Sequence, residues 1–353
     1  MKKRLASITC IMIFLASCSN QSEDNEQNDS HPVEHESIIA QDLSAPWAIE
    51  WDGTSFYISE RTGSIVKITG KQKVRQNLQL DKRLATAAEA GVLGFALHPE
   101  KKNYAFLYYT YEDEHGQFNR VVELRERSDG WTEERVLLDR IPSGNFHHGG
   151  RIKIGPDRKL YIATGDATDP MLAQDLWSLG GKILRMHLDG TIPKDNPFSD
   201  SFVYSYGHRN PQGLVWDENG QLYSSEHGSS AHDEINTIQP GGNYGWPFIQ
   251  GDEKQEGMIK PLLHSGDHTW APSGLAYNRG ILYAAQLRGE GVLAFNLETK
   301  TYKQIVNHVG RVRDVFIWKD DLYFVTNNTD GRGVPGHHDD KFIRIPLAKS
   351  FSH

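Results

Sequence analysis

Arginines, a histidine pair and an oxygen-rich loop are the residues of this 353-residue chain best suited to chemistry. Arg209, Arg288, Arg311 and Arg313 carry forked donors that match carboxylates, in a chain whose net charge is −8. Converging, they would bind an anionic, carboxylate-bearing ligand; singly, each could pair with an acid of a neighbouring segment, such as Asp166 or Asp314. His147 and His148 are adjacent, so alternation along an extended segment lets only one of them face an interior site. An imidazole titrating near neutrality suits a general base, and it suits a satisfied structural histidine equally. No HxxH or HExxH spacing occurs, which argues against zinc. The segment 226–234, EHGSSAHDE, concentrates carbonyl and carboxylate oxygens that suit a hard cation such as Ca²⁺. It lacks the spacing of an EF-hand, and a capped turn accounts for the same composition.

These residues are far apart in sequence and need a frame. Six segments supply one: 47–61, 93–111, 149–166, 212–227, 273–287 and 312–328 each read as an apolar strand, a tight turn and a second strand carrying Tyr or Phe. Hairpins recurring at intervals of about 40–60 residues mark a propeller or solenoid, because one hairpin cannot bury both of its faces. The expectation is an all-β chain, a six-bladed β-propeller with four-stranded antiparallel blades. The unusual residues gather at one end of the hairpins. Glu89, 145–148, 208–210, 268–270 and 311–313 precede first strands, while Arg61, Asp166, 226–229, Arg288 and 327–328 follow second strands. The opposite ends carry ordinary turn residues such as Asp52-Gly53 and Asn219-Gly220.

The N-terminus reads separately. Met1-Lys2-Lys3-Arg4 and the apolar stretch through Ala16 have the form of a signal peptide over 1–17, and Leu15-Ala16-Ser17-Cys18 resembles a lipobox with Cys18 as the lipidated residue. A polar, acidic stretch over 18–38 reads as a flexible tether, leaving 39–350 as the folded domain. The protein is expected to be exported and lipid-anchored at the outer face of the cell membrane or held in the periplasm, touching the membrane through that anchor alone. Both cysteines lie in the first 18 residues, so the domain needs no disulfide. Its acidity offers no footprint for nucleic acid.

Longer strings then resemble a known family, the soluble PQQ-dependent aldose (glucose-type, glucose/sorbosone) dehydrogenases. They are GVLGFALHP from Gly91, NFHHGGRIKIGPD from Asn145, GGKILR from Gly180, YGHRNPQGLVW from Tyr206, GGNYGWP from Gly241 and RVRDV from Arg311, in order over residues 40–330. The resemblance implies oxidation of the anomeric carbon of an aldose to a lactone, with pyrroloquinoline quinone (PQQ) and Ca²⁺ as cofactors and an electron acceptor yet to be identified. It implies that His147 is the general base and that Arg209 and Asn210 bind the quinone oxygens. Arg311 and Arg313 would grip the cofactor carboxylates, with Glu89, Thr269 and Arg288 beside them. The carbonyls of Gly228 and Ser229 would hold the cofactor's Ca²⁺, and Glu234 and the Tyr244 carbonyl a second Ca²⁺. Several positions depart from the family. Glu89 stands for Gln, Phe146 for an Asp before the base, Arg288 for Lys and Ser229 for Pro, and Trp270 is the nearest aromatic to cover the sugar. A calcium-dependent propeller lactonase and a non-catalytic sugar- or protein-binding propeller are the alternatives.

Overall fold

The computed structural model describes residues 36–347. The expected signal peptide, Cys18, most of the tether and residues 348–350 lie outside the described residues. In chain order the strands are β1 (Ser37–Ala40), β2 (Pro46–Trp51), β3 (Phe56–Glu60), β4 (Ser64–Thr69), β5 (Gln72–Gln79), β6 (Val92–Leu97), β7 (Tyr104–Asp113), β8 (Gly116–Arg127) and β9 (Gly130–Pro142). They continue as β10 (Ile152–Ile154), β11 (Leu160–Thr164), β12 (Lys182–Met186), β13 (Val203–Tyr206), β14 (Pro211–Trp216), β15 (Leu222–Glu226), β16 (Glu234–Ile238) and β17 (Leu263–His264). The last are β18 (Pro272–Asn278), β19 (Ile281–Gln286), β20 (Gly291–Asn296), β21 (Tyr302–Val306), β22 (Val312–Trp318), β23 (Asp321–Thr326) and β24 (Phe342–Pro346). A 3-10 turn, Pro170–Ala173, is capped by the Asp169 side chain.

All six expected hairpins form, and each begins a four-stranded antiparallel unit. Second strands such as β3, β11 and β15 are buried along their whole length because sheets pack on both of their faces, whereas fourth strands such as β5 and β21 are largely exposed. First strands pack in a closed order: β2 on β6, β6 on β10, β10 on β14, β14 on β18, β18 on β22, and β22 back on β2. The last unit is completed from the other end of the chain, where β1 pairs with β24 through Ser37 opposite Arg344 and Ala40 opposite Phe342. Among the described residues the first strand begins at Ser37, inside the stretch expected to be tether.

Two units are not separate sheets as expected. A short parallel pairing of β5 with β9, Asn77–Gln79 against Gly130–Thr132, joins them into one eight-stranded sheet. Gly130 permits the join: its φ is +142°, and a Cβ there would lie 2.3 Å from the Asn77 carbonyl oxygen.

Where the first strands converge, Arg151 and Asp314 form a fully buried ion pair, Nη1 to Oδ2 at 2.9 Å. Arg151 Nε donates to the Gln212 carbonyl at 2.8 Å, and its guanidinium lies 4.2 Å from the Trp47 ring centroid. Asp314 Oδ2 also accepts the Ile49 N–H at 2.8 Å. Four units therefore meet at one pair of charges. Burial pushes the Arg151 pKa down, and Asp314 opposes that shift. Replacing Arg151 by Met leaves a buried carboxylate without its cation, which should lower unfolding free energy by about 3–5 kcal/mol in urea titrations. A loss under about 1 kcal/mol would show that the pair does not hold the units together.

Candidate active site

His147 sits immediately before the first strand of its unit with φ +63°, a left-handed conformation unusual for a residue with a Cβ. Two contacts hold it there. Its N–H donates to Glu89 Oε2 at 3.1 Å, and its Nδ1 lies 2.7 Å from Asp166 Oδ1. Asp166 follows β11 by two residues and is fully buried; Oδ2 accepts the Trp246 indole N–H at 2.8 Å, and Oδ1 accepts the Thr168 N–H at 2.9 Å. A carboxylate oxygen suits an imidazole N–H, so this contact orients a hydrogen on Nδ1 toward Asp166 and turns Nε2 away from it. No group of the chain bonds Nε2 among the described residues. His148 behaves differently: it is buried, its Nδ1 lies 3.1 Å from Ser143 Oγ, and burial drives its pKa down to about 4. Sequence reasoning placed Asp166 at this end but as an acid for an arginine, and it missed both Trp246 and the pairing of Asp166 with His147. The carboxylate lost at Phe146 is supplied from the end of β11 instead, and TGDA at the exit of a second strand was the available signal.

Three of the four expected arginines gather at this end. Arg209 donates from Nη1 to the His227 carbonyl at 3.1 Å, takes Glu226 Oε2 on its N–H at 2.9 Å and lies over the Trp246 ring at 5.4 Å. Its Nε is buried without a partner, and burial lowers its pKa. Arg311 grips Asp330 Oδ2 from Nη2 at 2.6 Å and donates to the Leu287 carbonyl at 3.0 Å. Arg313 has only neutral acceptors in hydrogen-bond range, Gln212 Oε1 at 2.7 Å and Asn327 Oδ1 at 2.9 Å, with Asp330 at 3.7 Å. Burial pushes Arg313 down to about 9. Arg209 and Arg313 are thus cations under-supplied with anions. Arg61, expected at this end, joins the group on the Asp330 carbonyl at 2.9 Å, and Arg332 joins it unforeseen on Glu89 Oε1 at 2.6 Å. Burial is the largest influence on Glu89 and raises its pKa, but Arg332, His227, the His147 N–H and His148 together hold it below the usual carboxylate range. Asn210 is buried, and its Oδ1 accepts the Gly149 N–H at 3.0 Å, fixing the chain just past the histidines.

Two expected residues are held differently. The Arg288 side chain, next to the Leu287 carbonyl that Arg311 bonds, is exposed, and its main-chain N–H donates to the Trp270 carbonyl at 3.1 Å. Trp270 is buried between sheets, its ring 5.4 Å from Phe295 and 5.3 Å from Tyr302, so it is a core residue and not an aromatic of the mouth. The cause is Asp233, whose Oδ2 draws in the N–H groups of Trp270 (2.6 Å) and Ala271 (2.8 Å) and the Thr269 hydroxyl (2.9 Å). Trp246 takes the place at the mouth.

Asp233 also organises the oxygen-rich loop, Oδ1 accepting the Gly228 N–H at 2.9 Å, while Ser229 stays exposed. Next to it Glu234 and Glu226 are both buried and share the Asn236 amide at 3.2 and 2.7 Å. Burial and then Glu226 push the Glu234 carboxyl up to about 8. Tyr244 stacks on His208 at 4.7 Å and donates its hydroxyl to the Thr237 carbonyl at 2.6 Å. No cluster of three His, Cys, Asp or Glu ligands occurs among the described residues, so a cation here would depend on main-chain carbonyls.

An imidazole oriented by a buried carboxylate, with arginines gathered at the same end, is an arrangement suited to proton transfer beside an anionic group. The Glucose / Sorbosone dehydrogenase family profile matches residues 43–335, and the chain belongs to that family. It is 35% identical over 261 residues to quinoprotein glucose dehydrogenase B of Acinetobacter calcoaceticus, covering 62% of this chain and 54% of that one. It is 28% identical over 336 residues to an aldose sugar dehydrogenase of Escherichia coli, covering 83% and 90%. The PQQ-bound aldose sugar dehydrogenase of Streptomyces coelicolor superposes with a TM-score of 0.81 at 35% identity, covering 89% of this chain and 98% of that one.

The histidines give a pH signature. Native His148 is neutral down to about 4, whereas the unfolded chain protonates it near 6.5, so stability falls as pH drops through that window. The slope from this one group approaches about 1.4 kcal/mol per pH unit. Denaturant titrations from pH 7 to 4 should show a shallower loss for His148→Asn than for the parent; equal slopes would mean that His148 is charged in the native state.

Proposed function

We propose that the six four-stranded units are the blades of a six-bladed β-propeller and that the mouth at their first-strand ends oxidises aldoses with PQQ and Ca²⁺. The closed packing order of the first strands supports the propeller. The under-neutralised Arg209 and Arg313 are the observation that carries the cofactor reading, because guanidinium groups with no carboxylate in hydrogen-bond range suit a ligand bearing several carboxylates. Arg209, Asn210, Arg311 and Arg313 would hold PQQ, with Arg61 added to the set. When bound, the quinone supplies the hydride acceptor. The carbonyls of Gly228 and Ser229 would hold a Ca²⁺ that polarises it as a Lewis acid. The raised Glu234 carboxyl beside Glu226 fits a second cation, with the Tyr244 carbonyl as a further ligand.

The chain's own part is proton transfer and charge placement. His147 Nε2 takes the proton of the anomeric hydroxyl while Asp166 stabilises the imidazolium that results. The Trp246 and Thr168 N–H groups keep Asp166 aimed. Arg209 sets a positive potential where negative charge develops, in a site that burial has partly emptied of water. Trp246 replaces Trp270 as the aromatic beside the sugar. Glu89, neutralised by Arg332, contacts the His147 main chain and stands where a substrate hydroxyl would reach it. The N-terminal segment, with Cys18 lipidated, would hold the enzyme at the membrane surface near its electron acceptor.

Adding PQQ and Ca²⁺ to the purified domain should give reduction of an artificial electron acceptor with a panel of aldoses, and chelation of the metal should abolish it. No turnover with any aldose would sink the dehydrogenase reading. His147→Ala and Asp166→Asn should each lower turnover by about 10²–10⁴-fold with the quinone spectrum retained. Loss of the bound quinone would instead give these residues a structural role. Arg313→Ala should weaken PQQ binding before it alters turnover at saturation; unchanged affinity would rule out its part in the carboxylate grip.

A further inference from the structure

Lys182 is a buried ammonium with no carboxylate in contact. It opens β12, is closed to solvent, and its Nζ donates to three main-chain carbonyls: Leu172 at 2.6 Å, Ala173 at 3.1 Å and Gly180 at 2.6 Å. All three acceptors lie in the β11–β12 connection, the segment that leaves Asp166 and contains the 3-10 turn. Burial drives the ammonium down to about 7, opposed only by the charge of Asp175. An apolar side chain would fill the same space without that desolvation, so the ammonium is placed for its donors.

The residue after the turn shows what those donors hold. Gln174 pairs its amide reciprocally with Asn243, Nε2 to Oδ1 at 3.0 Å and Asn243 Nδ2 to Gln174 Oε1 at 2.9 Å. The same Nε2 donates to the Trp246 carbonyl at 2.6 Å. Trp246 in turn donates its indole N–H to Asp166, and Asp166 orients His147. An unbroken series of hydrogen bonds and short main-chain links therefore connects Lys182 to the imidazole. None of its early members touches the space in front of His147 Nε2.

We propose that Lys182 and Gln174 are positioning residues for His147: the ammonium clamps the β11–β12 connection, and the Gln174 amide transfers that fixed geometry to Trp246 and Asp166. The role of His147 as base rests on the dehydrogenase reading; the clamp itself does not. Small displacements of a catalytic group reduce rate steeply, about 10²-fold for a misplacement near 1 Å, so a clamp remote from the reacting atoms has a kinetic effect.

The test combines hydrogen–deuterium exchange of the sugar-free protein with kinetics of the PQQ- and Ca²⁺-loaded enzyme. Gln174→Leu should speed exchange of the Trp246 and Phe248 amides by about tenfold at an unchanged unfolding midpoint. It should lower kcat by about 10–100-fold with little change in KM for the sugar. Gln174→Glu, which keeps an acceptor for Asn243 but loses the donor to Trp246, should behave alike. Lys182→Met should speed exchange over 170–180 as well as 244–248; if it does not fold, the Gln174 variants decide. Unchanged exchange at 244–248 in Gln174→Leu overturns the clamp. Faster exchange with unchanged kcat overturns its coupling to His147. Should the parent oxidise no sugar, exchange still reads the clamp while the functional reading fails separately.

Discussion

The Arg151–Asp314 ion pair is the constraint on which the rest of the molecule depends. First strands of separate sheets converge there, and converging strands leave little room for side chains and none for water. A charge in such a place is tolerable only with an opposite charge at hydrogen-bond distance and further polar groups around it. Arg151, just before β10, and Asp314, in β22, meet across the middle; main-chain groups of β2 and β14 bond Asp314 Oδ2 and Arg151 Nε, while Arg151 Nη2 has no hydrogen-bond partner among the described residues. Gly274 of β18 stands against Asp314, where a Cβ would fall 1.7 Å from Oδ1. The pair therefore sets both the spacing of the first strands and their register. His147 lies four residues before Arg151, so that register also decides where the imidazole emerges.

Charge is distributed unevenly on either side of the imidazole. Asp166 is held by three donors, the His147 imidazole and the Thr168 and Trp246 N–H groups. Arg209 and Arg313 are cations short of anions, their pKa values lowered by burial. The first arrangement serves a group that must keep one orientation through a reaction cycle. The second stores binding energy for a ligand that brings its own negative charge, because desolvation of the guanidinium groups has already taken place in the folded protein. Both conditions come from connections at the ends of strands, Trp246 from the one between β16 and β17 and Asp330 from the one between β23 and β24.

The hairpins were legible in the sequence because their signals are local: alternation, aromatic content and turn residues within some 15 positions. The joining of two units was not, since it needs only three residue pairs and a Gly130 whose conformation no neighbour announces. The same division holds in the site. His147, Arg209, Arg311 and Arg313 stand in strings dense with polar residues at strand ends, and they meet. Trp270 stands in such a string too, but Asp233 claims its main chain and turns the ring into the core. Arg288 lies just past a second strand, as Asp166 does, yet one is exposed and the other buried, because the fates of such positions depend on partners from distant loops. Arg332 lies outside every hairpin, so no repeat drew attention to it. Asp166 was visible as an acid for an arginine; that its partner is an imidazole follows from the left-handed turn at His147, a tertiary fact.

The pairing of β1 with β24 has a consequence for how the chain comes into being. A polypeptide appears N-terminus first, so β1 exists as an unpaired edge while some 300 residues are added before Phe342–Pro346 arrives. Each of the other five units can close on itself as it is made, whereas the ring cannot. Completion of the fold is thereby tied to completion of the chain. A nascent or truncated polypeptide retains an open seam, and a chain still in transit through a narrow passage has no closed ring to block it.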